Sequence, residues 1–444
     1  MEGDARGVRR AVTAFFRLCL RIFFRRIELL GLERVPKGAV IFAVNHPNGL
    51  VDPLFLLCFA PARVSFLAKA PLFRYPVIGW FVRTFEGIPV YRKQDNTTGS
   101  NEETFAKARE VLGRGGSIAI FPEGTTHDDP RLRALKTGAA RIALGAHAAE
   151  LSVVPTGIYY TAKHVFRSSA LVLFGEPIRV SGGQAILRVQ APGDRQDCLS
   201  STEPPAEKVD ELTDAIEAGL ASVTLQADSH TALALIARAE DIFTADDRQP
   251  LAEEFDLRRR FIDGYHALLA RDPARLERLQ AQIARFEAEL RRAKLDVHEL
   301  RPSIDALRLF RLLVLLPLAL LGAAVSYPAY RLVGVLATRF AKGEGNVLAT
   351  MKFLAALLLF PLTFIAAAIF AGMRFGVLAG VATAVALPFL GYLALRVFEE
   401  IDDVIGDLRA VRHRMFRGHG HAQLVRERET IREELQAVAR ELNP

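Results

Sequence analysis

The sequence predicts an α/β domain with a mostly parallel sheet and flanking helices, followed by a helical region and C-terminal transmembrane helices. Short apolar, β-branched runs alternate with helical patterns from Ala39 to Val180, the mark of βαβ units whose site lies at the strand ends. Gly and Pro then cluster between Ser181 and Val209, which reads as a linker. Beyond it the pattern turns helical, and apolar residues gather between Leu312 and Leu395 in runs long enough to cross a bilayer.

Composition limits the partners. Charged residues make up 24% and apolar ones 50%, ordinary for a globular chain, yet the mean hydropathy is positive, so the apolar surplus has to be concentrated. The formal charge of +7 suits anionic membrane lipids or a phosphorylated small substrate. No nucleic-acid motif accompanies it. Cys19, Cys58 and Cys198 are scattered and lack metal-ligand spacing, so neither a disulfide framework nor a metal site is expected, and a reducing, cytoplasmic setting fits.

Residues 1–32 are read as an amphipathic membrane-interface helix. Within Ala11 to Leu30, Arg17, Arg21 and Arg25 recur every four residues among Phe15, Phe16, Leu20, Phe23 and Phe24, and a basic, aromatic helix favours an anionic lipid surface. A core-packed amphipathic helix is the alternative. The α/β domain is assigned to 33–180. Its predicted strands are Ala39–Val44, Val64–Lys69, Gly87–Tyr91, Ser117–Phe121, Ser152–Gly157 and Leu171–Phe174, with helices over Glu102–Leu112 and Leu135–Ala146.

After the linker, 181–209, a helical region is assigned to 210–307, where Leu276, Leu279, Ile283, Phe286 and Leu290 keep the three-four spacing of a short coiled-coil stripe. The membrane region is 308–398. Phe353–Met373 and Phe375–Leu395 each run 21 residues without a charge and are joined at Arg374. A segment over 312–338, interrupted by Pro317 and Pro328, is a third span or a re-entrant one. Basic residues flanking these runs outnumber Arg374, which puts the α/β domain on the cytoplasmic side. Residues 399–444 read as a polar, charged helical tail in which His413, His419 and His421 are solvated.

Asn45-His46-Pro47-Asn48-Gly49-Leu50-Val51-Asp52-Pro53 follows the first strand and opens a helix. A histidine at such a turn faces a cleft, and a carboxylate six positions on can fold back onto one ring nitrogen, forming a base with its orienter. Taken alone, the pair fits a buried histidine capped by a nearby Asp equally well. A second strand-to-turn stretch, Phe121-Pro122-Glu123-Gly124-Thr125, breaks the tie. Together the two resemble the glycerolipid acyltransferase superfamily, marked by Asn-His…Asp-Pro and Phe-Pro-Glu-Gly-Ser/Thr. Gly87-Ile88-Pro89-Val90-Tyr91-Arg92 resembles that family's second motif and Val153-Val154-Pro155-Thr156-Gly157 its fourth. Asn346 to Lys352, and the helix from Glu211 to Leu225, resemble the fungal-type glycerol-3-phosphate and dihydroxyacetone-phosphate acyltransferases.

The resemblance implies acyl transfer from a thioester, acyl-CoA or acyl carrier protein, to an alcohol, without a cofactor. His46 would be the base and Asp52 its orienter. Backbone N–H groups near Asn48, Gly49 and Gly124 would receive the oxyanion. Arg92, then Lys136, then Lys69 would bind the acceptor phosphate, while Glu123 would bind acceptor hydroxyls or brace the loop. Two departures bear on the acceptor. Five residues separate His46 from Asp52, as in the fungal-type branch, where most of the superfamily has four. Thr126 stands where bacterial lysophosphatidate enzymes commonly carry an arginine. The expected acceptor is the first hydroxyl of glycerol-3-phosphate, with dihydroxyacetone phosphate beside it. The alternatives are lysophosphatidate or another lysolipid, and a non-catalytic membrane scaffold on the same fold.

Overall fold

In the computed structural model, which describes residues 2–91, 101–180, 204–245, 250–301, 305–341 and 345–442, the N-terminal apolar runs pair into one eight-stranded sheet. Its strands are β1 (Arg26–Leu30), β2 (Ala39–Val44), β3 (Val64–Lys69), β4 (Ile88–Val90), β5 (Ser117–Ile120), β6 (Leu151–Tyr160), β7 (Ser169–Phe174) and β8 (Ile178–Arg179). The order is β1-β7-β6-β2-β5-β3-β4, with β8 also on β6. All ladders are parallel except β6 with β7 and β6 with β8. Every residue of β2 and β5 is buried, which is why these strands read as continuous apolar runs and not as alternation. The helices of this half are α1 (Glu2–Phe23), α2 (Val51–Phe59), α3 (Pro76–Thr84), α4 (Asn101–Gly113), α5 (Gly138–Leu144) and α6 (Ala206–Ser222).

Strand order places the functional loops. The chain leaves β2 toward β3 on one side and leaves β5 toward β6 on the other, although β2 and β5 are neighbours. The two connections run in opposite directions, each passing over the other strand, and such a reversal between adjacent parallel strands opens a crevice at their carboxyl ends. Ala43 pairs with Ile120 across this junction, so the segments beginning at Asn45 and Phe121 leave the sheet side by side.

Several sequence expectations change here. The helix expected through Leu30, in the segment 1–32, ends at Phe23, and Arg26–Leu30 is an edge strand paired with β7. The turn is closed by the Arg25 N–H donating to the Ser168 carbonyl. One face of α1 packs on the domain: Leu20 and Phe23 are buried, and Arg17 donates to the Cys58 carbonyl, 3.1 Å from Nε. Phe15 and Leu18 stay exposed. The helix expected over Leu135–Ala146 is confined to α5, because the Lys136 N–H is drawn to the Pro122 carbonyl at 2.8 Å. Most of the linker 181–209 lies outside the described residues, and its last residues already belong to α6.

The chain divides into two compact units, Met1–Gln226 with Glu344–Thr350, and Ala227–Gly343 with Met351–Pro444. Helix α6 therefore belongs to the first unit and not to a helical region starting at 210. The second unit holds α7 (His230–Thr244), α8 (Leu251–Arg271), α9 (Pro273–Ala293), α10 (Ala306–Ala341), most of α11 (Gly345–Phe375), α12 (Val377–Phe416) and α13 (Gly418–Leu442). Leu276, Leu279, Ile283, Phe286 and Leu290 are all buried on one face of α9. The expected polar tail is part of this core: Leu424, Ile431, Leu435 and Val438 of α13 are buried, an apolar stripe hidden among charges by its helical spacing. His421 is buried too, its ring bonded to the Leu300 carbonyl at 3.2 Å.

Helices α10, α11 and α12 are long and apolar enough to cross a membrane. Helix α10 runs unbroken through Pro317 and Pro328, so the segment over 312–338 has no re-entrant turn. Its Gly322 packs so closely on α12 that a Cβ would run into the Leu390 carbonyl, the small-residue contact of apolar helix pairs. The break between α11 and α12 falls at Gly376, φ 95°, and not at Arg374, because a positive φ favours glycine.

The glycine of the fourth motif is explained by packing. A Cβ on Gly157 would be driven into the Val223 carbonyl at the end of α6. Gly157→Ala is therefore expected to destabilise the first unit by about 1–3 kcal/mol, read by denaturant unfolding against the wild type.

Candidate active site

The crevice between β2 and β5 holds two buried carboxylates, each gripped by donors from several elements. Asp52, in the first turn of α2, is fully buried. Its Oδ2 lies 2.9 Å from His46 Nδ1 and accepts the Asn48 N–H at 2.7 Å. Its Oδ1 accepts the Tyr160 hydroxyl at 2.6 Å. Burial foremost, and then the neighbouring Asp52 charge, push the Tyr160 phenol well above its usual range, so it remains a donor. An ionised carboxylate only accepts, so Nδ1 of His46 carries the proton and Nε2 presents its lone pair. The ring stacks on Phe121, with centroids 4.1 Å apart and planes at 23°.

Glu123, the second carboxylate, is nearly fully buried. Its Oε1 accepts the His46 N–H at 3.2 Å, and its Oε2 accepts the Arg133 N–H at 3.1 Å and the His127 ring. His127 Nδ1 in turn accepts the Asp129 N–H at 3.2 Å, which leaves Nε2–H to donate to Glu123. The His127 N–H closes the circuit on the His46 carbonyl at 3.3 Å. Oε1 thus ties the β5 loop to the β2 loop, while Oε2 holds the β5 loop to itself.

The β2 loop is pinned at further points. Asn45 exchanges two hydrogen bonds with Ile158 of β6, 3.1 and 2.7 Å long. Lys163 donates to the Pro47 carbonyl at 3.1 Å and pairs with Asp128 at 2.6 Å. The Leu50 N–H donates to Thr350 Oγ1 at 3.1 Å, a residue in the first turns of α11 that belongs to this same unit. The Asn48 N–H is committed to Asp52, whereas the Gly49 N–H makes no hydrogen bond among the described residues. Gly124, φ 74°, makes the turn after Glu123 with its own N–H on the Phe121 carbonyl. The Lys136 side chain lies across it, where a Cβ would sit. Lys69 ends β3 with an exposed side chain and is not joined to the His46 group by any hydrogen bond or ion pair among the described residues. Arg92 lies outside the described residues. Among them, no group of three or more His, Cys, Asp or Glu side chains could hold a metal ion.

Sequence reasoning missed Tyr160, His127, Lys163 and Thr350. His127 had a signal, four residues after Glu123 in the same motif. Tyr160 had a weaker one: strand alternation puts it on the face of Thr156 and Ile158, and Thr156 pairs with Val44, so Tyr160 projects past the end of β2. Removing its hydroxyl leaves Asp52 Oδ1 short of a donor. Tyr160→Phe should keep the ring stack on Phe24, with centroids 5.5 Å apart, yet lower unfolding stability by about 1.5–3 kcal/mol, measurable by urea titration.

Residues 26–159 match the family model described as Acyltransferase, and residues 242–444 match that of the Glycerol-3-phosphate acyltransferase 2 C-terminal domain. Among relatives, the chain is 29% identical to "Glycerol-3-phosphate O-acyltransferase 2" of Saccharomyces cerevisiae over 60% of this chain and 37% of that one. It is 26% identical to "Glycerol-3-phosphate O-acyltransferase 1" of the same yeast, over 55% and 43%. It is 29% identical to the chloroplastic 1-acyl-sn-glycerol-3-phosphate acyltransferase LPAT1 of Arabidopsis thaliana, over 35% and 42%. The chain spans less than half the length of each of these relatives. The two family matches lie in series, and the C-terminal one carries the name of the glycerol-3-phosphate branch. The chain thus carries a region similar to the Acyltransferase family over 26–159, followed by one similar to the Glycerol-3-phosphate acyltransferase 2 C-terminal domain over 242–444.

Proposed function

We propose that the protein is a membrane-bound acyltransferase that moves a fatty acyl group from a thioester, acyl-CoA or acyl carrier protein, to the sn-1 hydroxyl of glycerol-3-phosphate, with dihydroxyacetone phosphate as a second acceptor. The observation that carries this reading is the His46–Asp52 pair at the head of β2, with Nδ1 2.9 Å from a buried carboxylate. His46 Nε2 takes the acceptor hydroxyl proton as the oxygen attacks the thioester carbonyl. Asp52 fixes the ring and stabilises the imidazolium. The transfer is direct, and the proton returns to the departing thiolate.

The oxyanion is assigned to the Gly49 N–H, since the Asn48 N–H is already given to Asp52. Glu123 is read as a brace, because both its oxygens already hold protein donors. Acceptor phosphate is assigned to Lys136 beside Gly124, with Arg92 as its partner cation and Lys69 third. Exposed Phe15 and Leu18 on α1 support contact of that helix with an anionic lipid surface, and the basic flanks of the apolar helices support a cytoplasmic site.

A second reading changes only the acceptor, to lysophosphatidate. It is favoured by the matches to 1-acyl-sn-glycerol-3-phosphate acyltransferases. Thr126 in place of an arginine, and the match to the glycerol-3-phosphate branch over 242–444, favour the first.

Membranes carrying the protein are offered labelled palmitoyl-CoA with glycerol-3-phosphate, dihydroxyacetone phosphate or lysophosphatidate. Glycerol-3-phosphate should be acylated, and His46→Ala should lose at least about 10²-fold in rate. Acylation of lysophosphatidate alone moves the assignment to the second reading. No acylation of any acceptor with palmitoyl-CoA or, in a parallel assay, palmitoyl acyl carrier protein, or a His46→Ala variant as active as wild type, ends the enzymatic reading. In the same assay Tyr160→Phe should lower kcat roughly tenfold with KM little changed, as expected for a donor that acts through Asp52.

A further inference from the structure

We propose that Thr350, in the first turns of α11, is a positioning residue for acyl transfer: its hydroxyl holds the His46 loop so that the Gly49 N–H meets the oxyanion. The role rests on the acyl-transfer reading above and adds to it a residue from outside the four motifs.

Two peptide units flank Gly49 in the loop from β2 into α2, and each is fixed from a different side. The Asn48 carbonyl accepts the Val51 and Asp52 N–H groups at 3.0 and 3.3 Å. In a trans peptide the N–H points opposite to the carbonyl of the same unit, so the Gly49 N–H faces away from α2, where no protein acceptor takes it among the described residues. The next unit carries the Leu50 N–H, which donates to Thr350 Oγ1 at 3.1 Å. Between the two units lies Gly49 at φ 34°, the residue type that resists rotation least. Thr350 supplies from outside the hold that a glycine lacks.

That hold is built into the packing. Ala349 is fully buried and Thr350 nearly so, and Glu344–Thr350 belongs to the first compact unit together with the sheet and the His46 loop. Threonines elsewhere in the apolar helices turn their hydroxyl to the carbonyl four residues back: Thr338 to Gly334 at 3.0 Å, Thr363 to Leu359 at 2.8 Å and Thr383 to Ala379 at 2.8 Å. Thr350 differs, because its oxygen receives the amide of a loop 300 positions earlier. Without that oxygen the Leu50 amide must find another acceptor, and the Gly49 peptide moves with it.

During transfer the thioester carbonyl oxygen gains charge as the acceptor oxygen bonds to its carbon. It becomes a carbonyl again when the C–S bond breaks and the thiolate takes the proton from His46. The Gly49 donor matters most in that interval, so displacing it lowers kcat and leaves KM little changed. Thr350 makes no hydrogen bond to His46 or Asp52 among the described residues, so the base itself is untouched.

The test uses the full chain in membranes, with palmitoyl-CoA and whichever acceptor the wild type acylates. Thr350→Val removes the oxygen with little change in volume, and kcat should fall about 10–10²-fold with both KM values within about twofold. The pH profile of kcat/KM should keep its shape. Thr350→Ser keeps the oxygen and should recover to within about threefold of wild type. Hydrogen exchange of the peptide holding Leu50, read by mass spectrometry, should be faster in Thr350→Val and slow again in Thr350→Ser. Should Thr350→Val fail to fold, Thr350→Ala takes its place with the same expectations. A wild-type kcat in Thr350→Val or Thr350→Ala, an equal loss in Thr350→Ser, or a pH profile displaced along the pH axis overturns the proposal. An inactive wild type ends the acyl-transfer reading and this role with it, whereas an active wild type beside an unaffected Thr350→Val ends this role alone.

Discussion

A single buried carboxylate organises the candidate site. Placing Asp52 wholly out of water costs several kcal/mol unless donors replace its hydration, and three do: the His46 ring, the Asn48 N–H and the Tyr160 hydroxyl. They come from the turn after β2, the loop that enters α2, and the far end of β6. The sheet register, the loop path and the histidine tautomer are therefore solved together, and a shift in any one leaves a buried charge short of a partner. Glu123 repeats the device on β5, spending both oxygens on His46, His127 and Arg133 backbone or ring donors.

The motif residues divide into those that touch the crevice and those that let elements approach. His46, Asp52 and Glu123 are of the first kind. Gly157 is of the second, leaving room for the Val223 carbonyl. Gly124 joins both kinds, since its positive φ turns the loop and its missing Cβ leaves the path taken by Lys136. A motif is thus a record of packing as much as of chemistry, and only the contacts tell which residue serves which.

The second unit obeys a different constraint. Helices separated by three apolar runs in sequence return to share one core, which limits the paths available to the runs between them. Helix α13 shows why its role was hard to read. Arg and Glu dominate its composition, yet Leu424, Ile431 and Leu435 recur at seven- and four-residue steps and are buried. The His46 loop is tied to the first turns of α11, where the hydroxyl of Thr350 receives the Leu50 N–H.

By itself the sequence determined what depends on neighbours along the chain. β2 and β3 run over the residues that their apolar, β-branched pattern predicts, and the spacing of His46 and Asp52 is a local property of one turn. The α/β class and the apolar C-terminal helices follow from the same periodicities. Tertiary structure decided whatever depends on a partner far away. Residues 26–30 became a strand because β7 offered an edge, although the preceding helical pattern continued into them. Tyr160 reached Asp52 across 108 positions and Thr350 reached Leu50 across 300. The physical reason is that hydrogen-bond donors for a buried charge or a loop amide are chosen by proximity in the fold, and local propensity carries no information about which distant residue will be near.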